Sequence, residues 1–401
     1  MATLLGIFRK TGSQSPRLAG LIRFMTRIAQ LTTAHPRYDI RIYHKESRAL
    51  ARHGYDVHLV VADGKGPETR DGVHFHDIGT VAGRARRMLV QPLRLLRVAL
   101  GLKADIYHFH DPELLPVGLL LHWIGRTVVY DAHEDVPRQI MAKPWIPFPL
   151  RRMVSVAFEK LENFAAKRMD AVICATPHIT ARFLDLNNGS FNVNNYPFRD
   201  ELAPAVAGPT AAKAGARRNI CYVGSITRTR GAVEMVAAME FTDARLILAG
   251  IMADAQLETE LKSMPGWAKV DYRGVVDRDG VRNILAQSQI GLVVLYPTPN
   301  HLASMPTKMF EYMSSGEPVL ASNFPLWRSI LDKARCGMCV DYDDPRKIAT
   351  TINDMLSDAD SLARMAANGR QAVLDDYNWE AEETSLITAY DHLALRASKT
   401  S

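Results

Sequence analysis

The chain has 401 residues, of which 47% are hydrophobic and 23% are charged, and its net charge is +6. These proportions are ordinary for a folded globular protein and exclude disordered and fibrous classes. The length predicts two or three domains, and no apolar run reaches the ~18 residues that a membrane-spanning helix requires.

The acid-free N-terminus is the first feature along the chain. Residues 1–38 contain six Arg and Lys residues but no Asp or Glu. Apolar residues at helical spacing predict a basic amphipathic extension over residues 1–26. Arg23 interrupts the apolar centre that a secretory signal needs, whereas an organellar transit peptide shares this acid-poor composition and stays open as an alternative.

The four cysteines are too few to cross-link a chain of this length, which predicts a reducing, cytoplasmic compartment. Cys336 and Cys339 form a C-x-x-C pair, but no second ligand pair follows at the spacing of a zinc site. We interpret both as small buried residues in a turn that leads into a strand.

Short apolar runs alternate with helical patterns through the first half, which predicts a parallel sheet flanked by helices. The predicted strands are Ile28–Thr33, Asp56–Val61, Asp105–His110, Thr127–Asp131 and Ala171–Ala175. Helices are predicted over Ile42–His53 and Arg151–Arg168, and the whole domain over residues 27–199.

A second basic segment lies within this domain. Residues 79–104 hold six basic residues and no acid, with apolar residues at amphipathic spacing. Such a helix either lies on an anionic membrane or another polyanion, or packs on the core with a solvated basic face. The sequence leaves both interpretations open.

Residues 200–218 are rich in Ala, Gly and Pro, which predicts a linker. A second alternating series follows, with strands predicted over Asn219–Val223, Arg245–Ala249, Val270–Tyr272, Gly291–Leu295, Val319–Ala321 and Met338–Val340. Helices are predicted near Gly231–Met239, Val281–Gln287 and Met309–Ser315. The sequence thus predicts an α/β chain of two doubly wound halves, with a second domain over residues 219–376. Residues 377–395 are predicted to form a helix that returns to the first domain.

The turn from Gly224 to Gly231 has the features of a phosphate site. Gly224 lets a ligand approach the backbone, the helix that follows offers free N–H groups, and Arg228 or Arg230 can add positive charge. A strand–loop–helix unit with ordinary surface arginines also explains this pattern.

The segment 304–323 is the second candidate site in this half. Pro306 suits the first turn of a helix that ends at Gly316. Lys308 and Glu311 share one face of that helix, where the ammonium suits a phosphate and the carboxylate suits the hydroxyls of a ribose. A surface ion pair would have the same spacing.

Five segments together resemble the retaining glycosyltransferases of family 4, which have the GT-B fold. In chain order they are LTTAHPRYDIRIYHKESRALARHGYDVHLVV, DIYHFHDPELLPVG, VVYDAHEDVP, ICYVGSITRTRG and PTKMFEYMSSGEPVLAS. The resemblance extends from about Ala29 to Leu393. It implies two doubly wound, Rossmann-like domains that face each other across a cleft, the second of which binds a nucleotide-sugar.

The resemblance assigns roles in donor binding. Glu311 matches the second acid of the family's E-x7-E motif, which binds the ribose hydroxyls, whereas Ala303 replaces the first acid. The basic pair that clamps the diphosphate falls at Ser225 and Arg230, so half of it is missing, and either Arg228 or Lys308 is expected to compensate. The expected donor-binding residues are Gly224, Ser225, Arg228, Arg230, Gly250, Ser304, Pro306, Thr307, Lys308 and Glu311.

The resemblance also assigns roles in the first domain. His110 matches the histidine that lies beside the transferred sugar. An ordinary core histidine is the alternative interpretation of His110. Asp111, His133 and Glu134 crowd the same strand ends, where they would orient or deprotonate the acceptor hydroxyl. The expected catalytic residues are thus His110, Asp111, His133 and Glu134. The first loop is expected to approach the donor phosphate and the acceptor through His35, Arg37, Asp39 and Arg41.

The implied reaction moves a sugar, with retained configuration, from a UDP- or GDP-linked donor to a hydroxyl of a glycan or lipid-linked glycan. It implies a role in the biosynthesis of bacterial surface polysaccharide. No D-x-D motif is present, so we expect neither a metal nor another cofactor, and we expect no nucleic-acid partner. The predicted location is cytoplasmic, peripheral on the inner face of the cytoplasmic membrane. Two alternatives stay open: a sugar-nucleotide epimerase with the same fold, and a non-catalytic homologue that binds nucleotide-sugars.

Overall fold

A computed structural model describes residues 22–143, 146–202 and 218–400 of the chain. They form two compact units. Unit 1 runs to Asn194 and resumes at Glu382, and unit 2 consists of Asn195–Ala381. Most of the predicted N-terminal extension and residues 203–217 of the predicted linker lie outside the described residues.

Unit 1 is built on an eight-stranded sheet with the order β3-β4-β2-β1-β5-β6-β7-β8. Its strands are β1 (Arg27–Leu31), β2 (Asp56–Val61), β3 (Glu68–Arg70), β4 (Val73–Asp77), β5 (Ile106–Phe109), β6 (Thr127–Ala132), β7 (Ala171–Cys174) and β8 (Ser190–Asn192). All neighbours are parallel except β3 and β4, which are antiparallel. The strands β5 and β7 are buried along their whole length, as a parallel sheet with helices on both faces requires.

The helices of unit 1 begin with a π-helix over Ile40–Ser47, which continues into α1. The α-helices are α1 (Arg48–Arg52), α2 (Arg84–Leu102), α3 (Leu115–Trp123), α4 (Val136–Ala142), α5 (Phe148–Ala166) and α6 (Pro177–Leu184). An ordinary α-helix was predicted where the π-helix lies. Its wider turn follows Asp39, whose carboxylate accepts hydrogen bonds from the backbone N–H groups of Arg41 and Ile42.

Unit 2 is built on a six-stranded, wholly parallel sheet with the order β11-β10-β9-β12-β13-β14. Its strands are β9 (Asn219–Val223), β10 (Arg245–Ala249), β11 (Val270–Gly274), β12 (Ile290–Val293), β13 (Val319–Ser322) and β14 (Gly337–Val340). Its helices are α7 (Ala232–Ala238), α8 (Ala255–Ser263), α9 (Arg278–Gln287), α10 (Pro299–Leu302), α11 (Thr307–Ser315), α12 (Pro325–Ala334), α13 (Pro345–Ser357) and α14 (Ala359–Asp375). Two separate apolar clusters of buried side chains form its core.

The last helix, α15 (Trp379–Thr400), begins with residues of unit 2 and continues with residues of unit 1. Within unit 1 the hydroxyl of Tyr390 lies 2.7 Å from Nδ1 of His108. Asp391 accepts hydrogen bonds from Arg23 and from the hydroxyl of Tyr55. No helix in the described part of the chain is both long and apolar enough to cross a membrane.

The prediction of two doubly wound α/β halves is confirmed, and all eleven predicted strands are present with ends shifted by at most two residues. Three strands were missed: β3, β4 and β8. β3 and β8 have only three residues each, and all three strands lie at or next to an edge of the sheet. Because an edge strand needs less apolar sequence than a central one, composition gives a weaker signal there.

Candidate functional site

In unit 2, two glycines bring the loops after β9 and β10 into close contact. Gly224 has a φ of 140° and Gly250 a φ of 137°, which are strained for any residue with a side chain. A Cβ atom on Gly250 would lie 1.9 Å from the carbonyl oxygen of Gly224. A Cβ atom on Gly224 would lie 3.2 Å from Nζ of Lys308. The ammonium of Lys308 is therefore held against the backbone at the end of β9.

Lys308 and Arg230 form a cation pair at this strand end. Nζ of Lys308 lies 5.0 Å from the ring centre of Tyr222, and the nearby charge of Arg230 opposes the rise that burial causes in the pKa of Tyr222. Among the described residues, no carboxylate oxygen lies within 4.0 Å of either cation. Burial and the charge of Arg230 lower the pKa of Lys308 to about 8, although Glu311 opposes the shift. This unneutralised pair, beside a glycine backbone, is suited to an anion.

Glu311 lies one turn beyond Lys308 on α11. Its Oε1 accepts a hydrogen bond of 2.8 Å from Nη1 of Arg278, the first residue of α9. Nε of Arg278 also donates to Oε1 of Glu201, at 2.7 Å. Glu311 was predicted as a donor-binding residue, whereas Arg278 was not, because nothing in the spacing of residues 278 and 311 relates them.

Ser225 and Arg228 are both exposed. The guanidinium of Arg228 forms an ion pair with Glu260, with Nη1 2.9 Å from Oε1. Of the two residues expected to compensate for Ser225, Lys308 is therefore the one that lies beside Gly224.

The segment that leads into α11 is held by hydrogen bonds. Ser304 donates from Oγ to the carbonyl of His301 at 2.9 Å, and its own carbonyl accepts from Nε1 of Trp327 at 2.8 Å. Ala303 ends α10, and Pro306 precedes the first turn of α11, which has no side-chain cap. Free N–H groups at the start of α11, next to Thr307, are thus available to a ligand.

In unit 1, a buried polar cluster lies where β1, β5 and β6 end. Asp131 accepts two hydrogen bonds from Arg41, at 3.0 and 2.8 Å, and lies 2.9 Å from Nδ1 of His110. Nε2 of His110 lies 2.6 Å from Oε1 of Gln30. Burial lowers the pKa of His110 despite the nearby carboxylate. Burial opposes ionisation of Asp131, but Arg41 and the histidines hold its pKa well below the usual range. Both ring nitrogens of His110 therefore have partners, and its ring is fully buried.

Glu46 and His108 complete what we call the unit 1 cluster. Oε1 of Glu46 lies 3.1 Å from Nε of Arg41 and its Oε2 lies 3.8 Å from Nδ1 of His108, and burial raises the pKa of Glu46 to about 8. Donor atoms of Glu46, His108, His110 and Asp131 lie within 4.8 Å of one another, as ligands of a metal would. However, Arg41 already supplies the positive charge, and both nitrogens of His110 are engaged. We interpret the cluster as an ion-paired network around Arg41 and Asp131 rather than a metal centre, in which both carboxylate oxygens of Glu46 and Nε2 of His108 have no hydrogen bond to a described residue.

The first loop of unit 1 is tied down by its charged residues. Asp111 accepts hydrogen bonds from the backbone N–H groups of Thr33 and Ala34, at 2.5 and 3.1 Å. Arg37 is buried and paired with Asp63 and Glu68. Like Arg41, it is neutralised within the unit.

His35 lies 3.4 Å from both Asp39 and Asp111. Burial opposes its charge, but these carboxylates raise its pKa to about 8. The ring of His133 lies 5.2 Å from that of His35, and its Nδ1 is 3.2 Å from Asp131. His35 and His133 are partly exposed, and Glu134 is exposed. These three residues, rather than His110, form the accessible side of the strand ends.

Two family profiles match the chain. The profile described as Glycosyltransferase Family 4 matches residues 41–189, and that described as Glycosyl transferases group 1 matches residues 210–372. A phosphatidyl-myo-inositol mannosyltransferase of Mycobacterium leprae is 22% identical over 314 residues, which cover 74% of this chain and 75% of that protein. Spore coat protein SA of Bacillus subtilis is 24% identical over 83 residues, which cover 20% of this chain and 22% of that protein.

Solved structures show the same architecture. A sucrose-phosphate synthase from Thermosynechococcus elongatus matches with a TM-score of 0.74 at 18% identity, over 92% of this chain and 100% of that chain. HepE from Anabaena in complex with UDP-glucose matches with a TM-score of 0.69 at 13% identity, over 91% of this chain and 99% of that one. The fold and its strand-end loops therefore define a GT-B glycosyltransferase. The chain belongs to glycosyltransferase family 4.

Proposed function

We propose that the chain transfers a sugar, with retained configuration, from a UDP- or GDP-linked donor to a hydroxyl of a glycan or lipid-linked glycan. The observation that carries this proposal is the cation pair Arg230 and Lys308 beside Gly224, with Glu311 one turn away. A diphosphate would neutralise the pair, and a ribose would reach the carboxylate. HepE, which binds UDP-glucose in its solved complex, supports a UDP-linked donor. The surface-polysaccharide role is part of the same proposal.

The leaving diphosphate gains negative charge as the glycosidic bond breaks. Lys308, Arg230 and the uncapped first turn of α11 stabilise that charge. Since these groups do the work that a divalent cation does elsewhere, the proposed reaction needs neither a metal nor another cofactor. The acceptor attacks from the face that the diphosphate leaves, and the diphosphate takes its proton.

Unit 1 supplies the residues that we assign to the acceptor. His133, Glu134 and His35 are accessible, and the two half-buried histidines lie 3.2–3.4 Å from the carboxylates of Asp131 and Asp111. Asp111 holds the loop that carries His35. His110, predicted to be catalytic, is buried behind them, and we propose that it acts indirectly, through Asp131, which it shares with the accessible His133.

The first test identifies the donor. Nucleoside diphosphates and their sugars are screened for thermal stabilisation of the chain, since a ligand that binds only the folded state raises its melting temperature. In Glu311→Ala, loss of a carboxylate that accepts ribose hydroxyls should weaken binding of the selected donor about 50-fold at an unchanged melting temperature of the free chain. Equal affinity of the variant and the wild type would exclude the ribose role.

Incubation without an acceptor distinguishes the alternatives. A glycosyltransferase leaves the donor sugar unchanged at its stereocentres, whereas an epimerase converts it. Binding of the donor without turnover towards any glycan acceptor would instead indicate a non-catalytic homologue.

We also propose that α2 holds the enzyme on the inner face of the cytoplasmic membrane. Leu95 and Ala99 pack in the core, but Leu89 and Leu93 are 72% and 69% exposed. The outward face of α2 thus carries large apolar side chains among the exposed arginines Arg86, Arg94 and Arg97, and the helix has no acid. Such a face suits the boundary between acyl chains and anionic headgroups.

Sedimentation with vesicles tests this placement. The chain should bind vesicles that contain phosphatidylglycerol, and Leu89→Ser with Leu93→Ser should lose most of that binding. Equal binding of the double variant would contradict a role for α2. Leu161→Ser on α5, which is also exposed, serves as a control.

A further inference from the structure

Glu311 has two cations within reach but binds only one of them. Lys308 precedes it by three residues on α11, a spacing at which side chains meet and oppositely charged pairs form. In the structure the carboxylate of Glu311 is instead 2.8 Å from Arg278, and within the described part of the chain no carboxylate oxygen lies within 4.0 Å of Nζ of Lys308. The charge of Lys308 is consequently left available.

Arg278 is itself fixed in place. Glu201 binds it through Oε1, with Nε at 2.7 Å and Nη2 at 2.6 Å. Asp277 caps α9 by accepting a hydrogen bond from the backbone N–H of Gly280, which orders the turn that carries Arg278. The guanidinium therefore joins Glu201 to Glu311 through different N–H groups, a geometry that the single ammonium of a lysine reproduces poorly.

We propose that Arg278 is a positioning residue that draws Glu311 away from Lys308, and so keeps the phosphate site cationic while presenting the second carboxylate oxygen to the ribose. This role rests on the proposed function. Without Arg278, Glu311 would turn towards Lys308 and Arg230, and the negative charge of a diphosphate would meet a site that is already neutralised. Holding the carboxylate in advance also lowers the entropy lost when the nucleotide binds.

The test separates the phosphate effect from the ribose effect by using two probes. Inorganic pyrophosphate reports on the cation pair alone, and the nucleoside diphosphate that stabilises the wild type reports on both. Arg278→Ala should weaken binding of each probe about tenfold, because one charge of the pair is lost to Glu311. The double variant Arg278→Ala with Glu311→Ala should regain wild-type affinity for pyrophosphate, since the competing carboxylate is gone, but not for the nucleotide.

Arg282→Ala is the matched control. Arg282 lies one turn further along α9 and pairs with Asp279 and with the carbonyl of Glu201, but has no contact with Glu311. Its replacement should leave both affinities within about twofold of the wild type. Arg278→Lys should weaken binding of both probes less than Arg278→Ala does.

Three outcomes would contradict this role of Arg278. Unchanged pyrophosphate affinity in Arg278→Ala would overturn the role. Failure of the double variant to recover pyrophosphate binding would show that the loss comes from altered structure, and would overturn it too. If the wild type binds neither probe, the proposed function fails and this role fails with it.

Discussion

The two units end their central strands in charged clusters that are opposite in character. In unit 1, Arg41 and Asp131 neutralise each other out of contact with water, and His110 is held between Asp131 and Gln30. In unit 2, the positive charges of Arg230 and Lys308 repel each other, and no carboxylate oxygen of the described residues lies within 4.0 Å of either cation. The same position in two similar folds thus carries paired charges in one case, although the carboxylate of Glu46 lacks a hydrogen bond, and a pair of cations without a nearby carboxylate in the other.

The difference indicates what each cluster contributes. Burying ionised groups is costly unless they are paired, so the unit 1 cluster stabilises its fold and fixes side chains in place. Two like charges at one site oppose each other, and a bound anion relieves that repulsion. Substitutions in unit 1 should therefore act on stability and turnover, and those in unit 2 on ligand affinity.

The largest expected effect is on the stability of unit 1. Asp131→Asn keeps the shape of the side chain but removes the closer of the two carboxylates that pair with buried Arg41 and leaves only Glu46, which should cost about 3 kcal/mol. Urea unfolding measures the change. Glu311→Gln in unit 2 also removes a carboxylate that binds an arginine, but this pair is partly exposed and its loss should cost about 1 kcal/mol or less. Similar losses in the free energy of unfolding of both variants would contradict the proposed difference between the two units.

The next effect is on turnover. His110→Ala should lower kcat by roughly 10²-fold, because it removes the group that fixes Asp131 beside the accessible His133, while nucleotide affinity stays near that of the wild type. Steady-state kinetics measure kcat, and a nucleotide titration on the same sample measures the affinity. The exposed His178→Ala is the control. Full activity of His110→Ala would show that His110 has a purely structural place in the network.

The third effect is on affinity in unit 2. Lys308→Met removes one charge of the pair and should weaken nucleoside diphosphate binding about 100-fold, as expected for a charge-assisted contact to phosphate. Arg228→Met should change affinity less than about twofold, because that arginine is exposed and paired with Glu260. Calorimetric titration of both variants decides which cation serves the phosphate. A larger loss in Arg228→Met would reverse the assignment.

The smallest effect is a pH dependence. Burial and Arg230 bring the pKa of Lys308 to about 8, so the free chain loses this charge as the pH rises through that value. Nucleotide affinity should fall about tenfold between pH 7 and pH 9, since only about a tenth of Lys308 is then protonated. Lys308→Met should show no such slope. The sign for stability is opposite: a lysine pKa lowered by folding adds stability as pH rises from about 8 towards its ordinary value.

The sheets were predictable because strands buried on both faces must be apolar runs, as Ala171–Cys174 and Val319–Ser322 are. The positions of the candidate sites followed from the same pattern, since ligands of such sheets bind at strand ends. The functions assigned to the individual site residues stay predictions. The family assignment rested on five segments taken together, and the two matching profiles confirm it.

Side-chain partners were not predictable. The resemblance implied phosphate contacts for Arg37 in the first loop and for Arg41, which lies in the π-helix that follows it, yet each pairs with an acid 26 or more positions further along the chain. Tyr390 approaches His108 across 282 positions of sequence. Arg278 shares no motif with Glu311. Such pairs form because the sheet topology brings distant strand ends together. The spacing of residues along the sequence does not predict those contacts.

The helix α15 has a consequence for dividing the molecule. Its last residues belong to unit 1, although the chain reaches them only after completing unit 2. A fragment that stops at residue 194 would therefore lack Tyr390 and leave the polar groups of His108 and Gln30 without that hydroxyl. We expect such a fragment to be unstable alone and to recover when a peptide of residues 379–400 is supplied separately. The two units are in this sense not separable by a single cut.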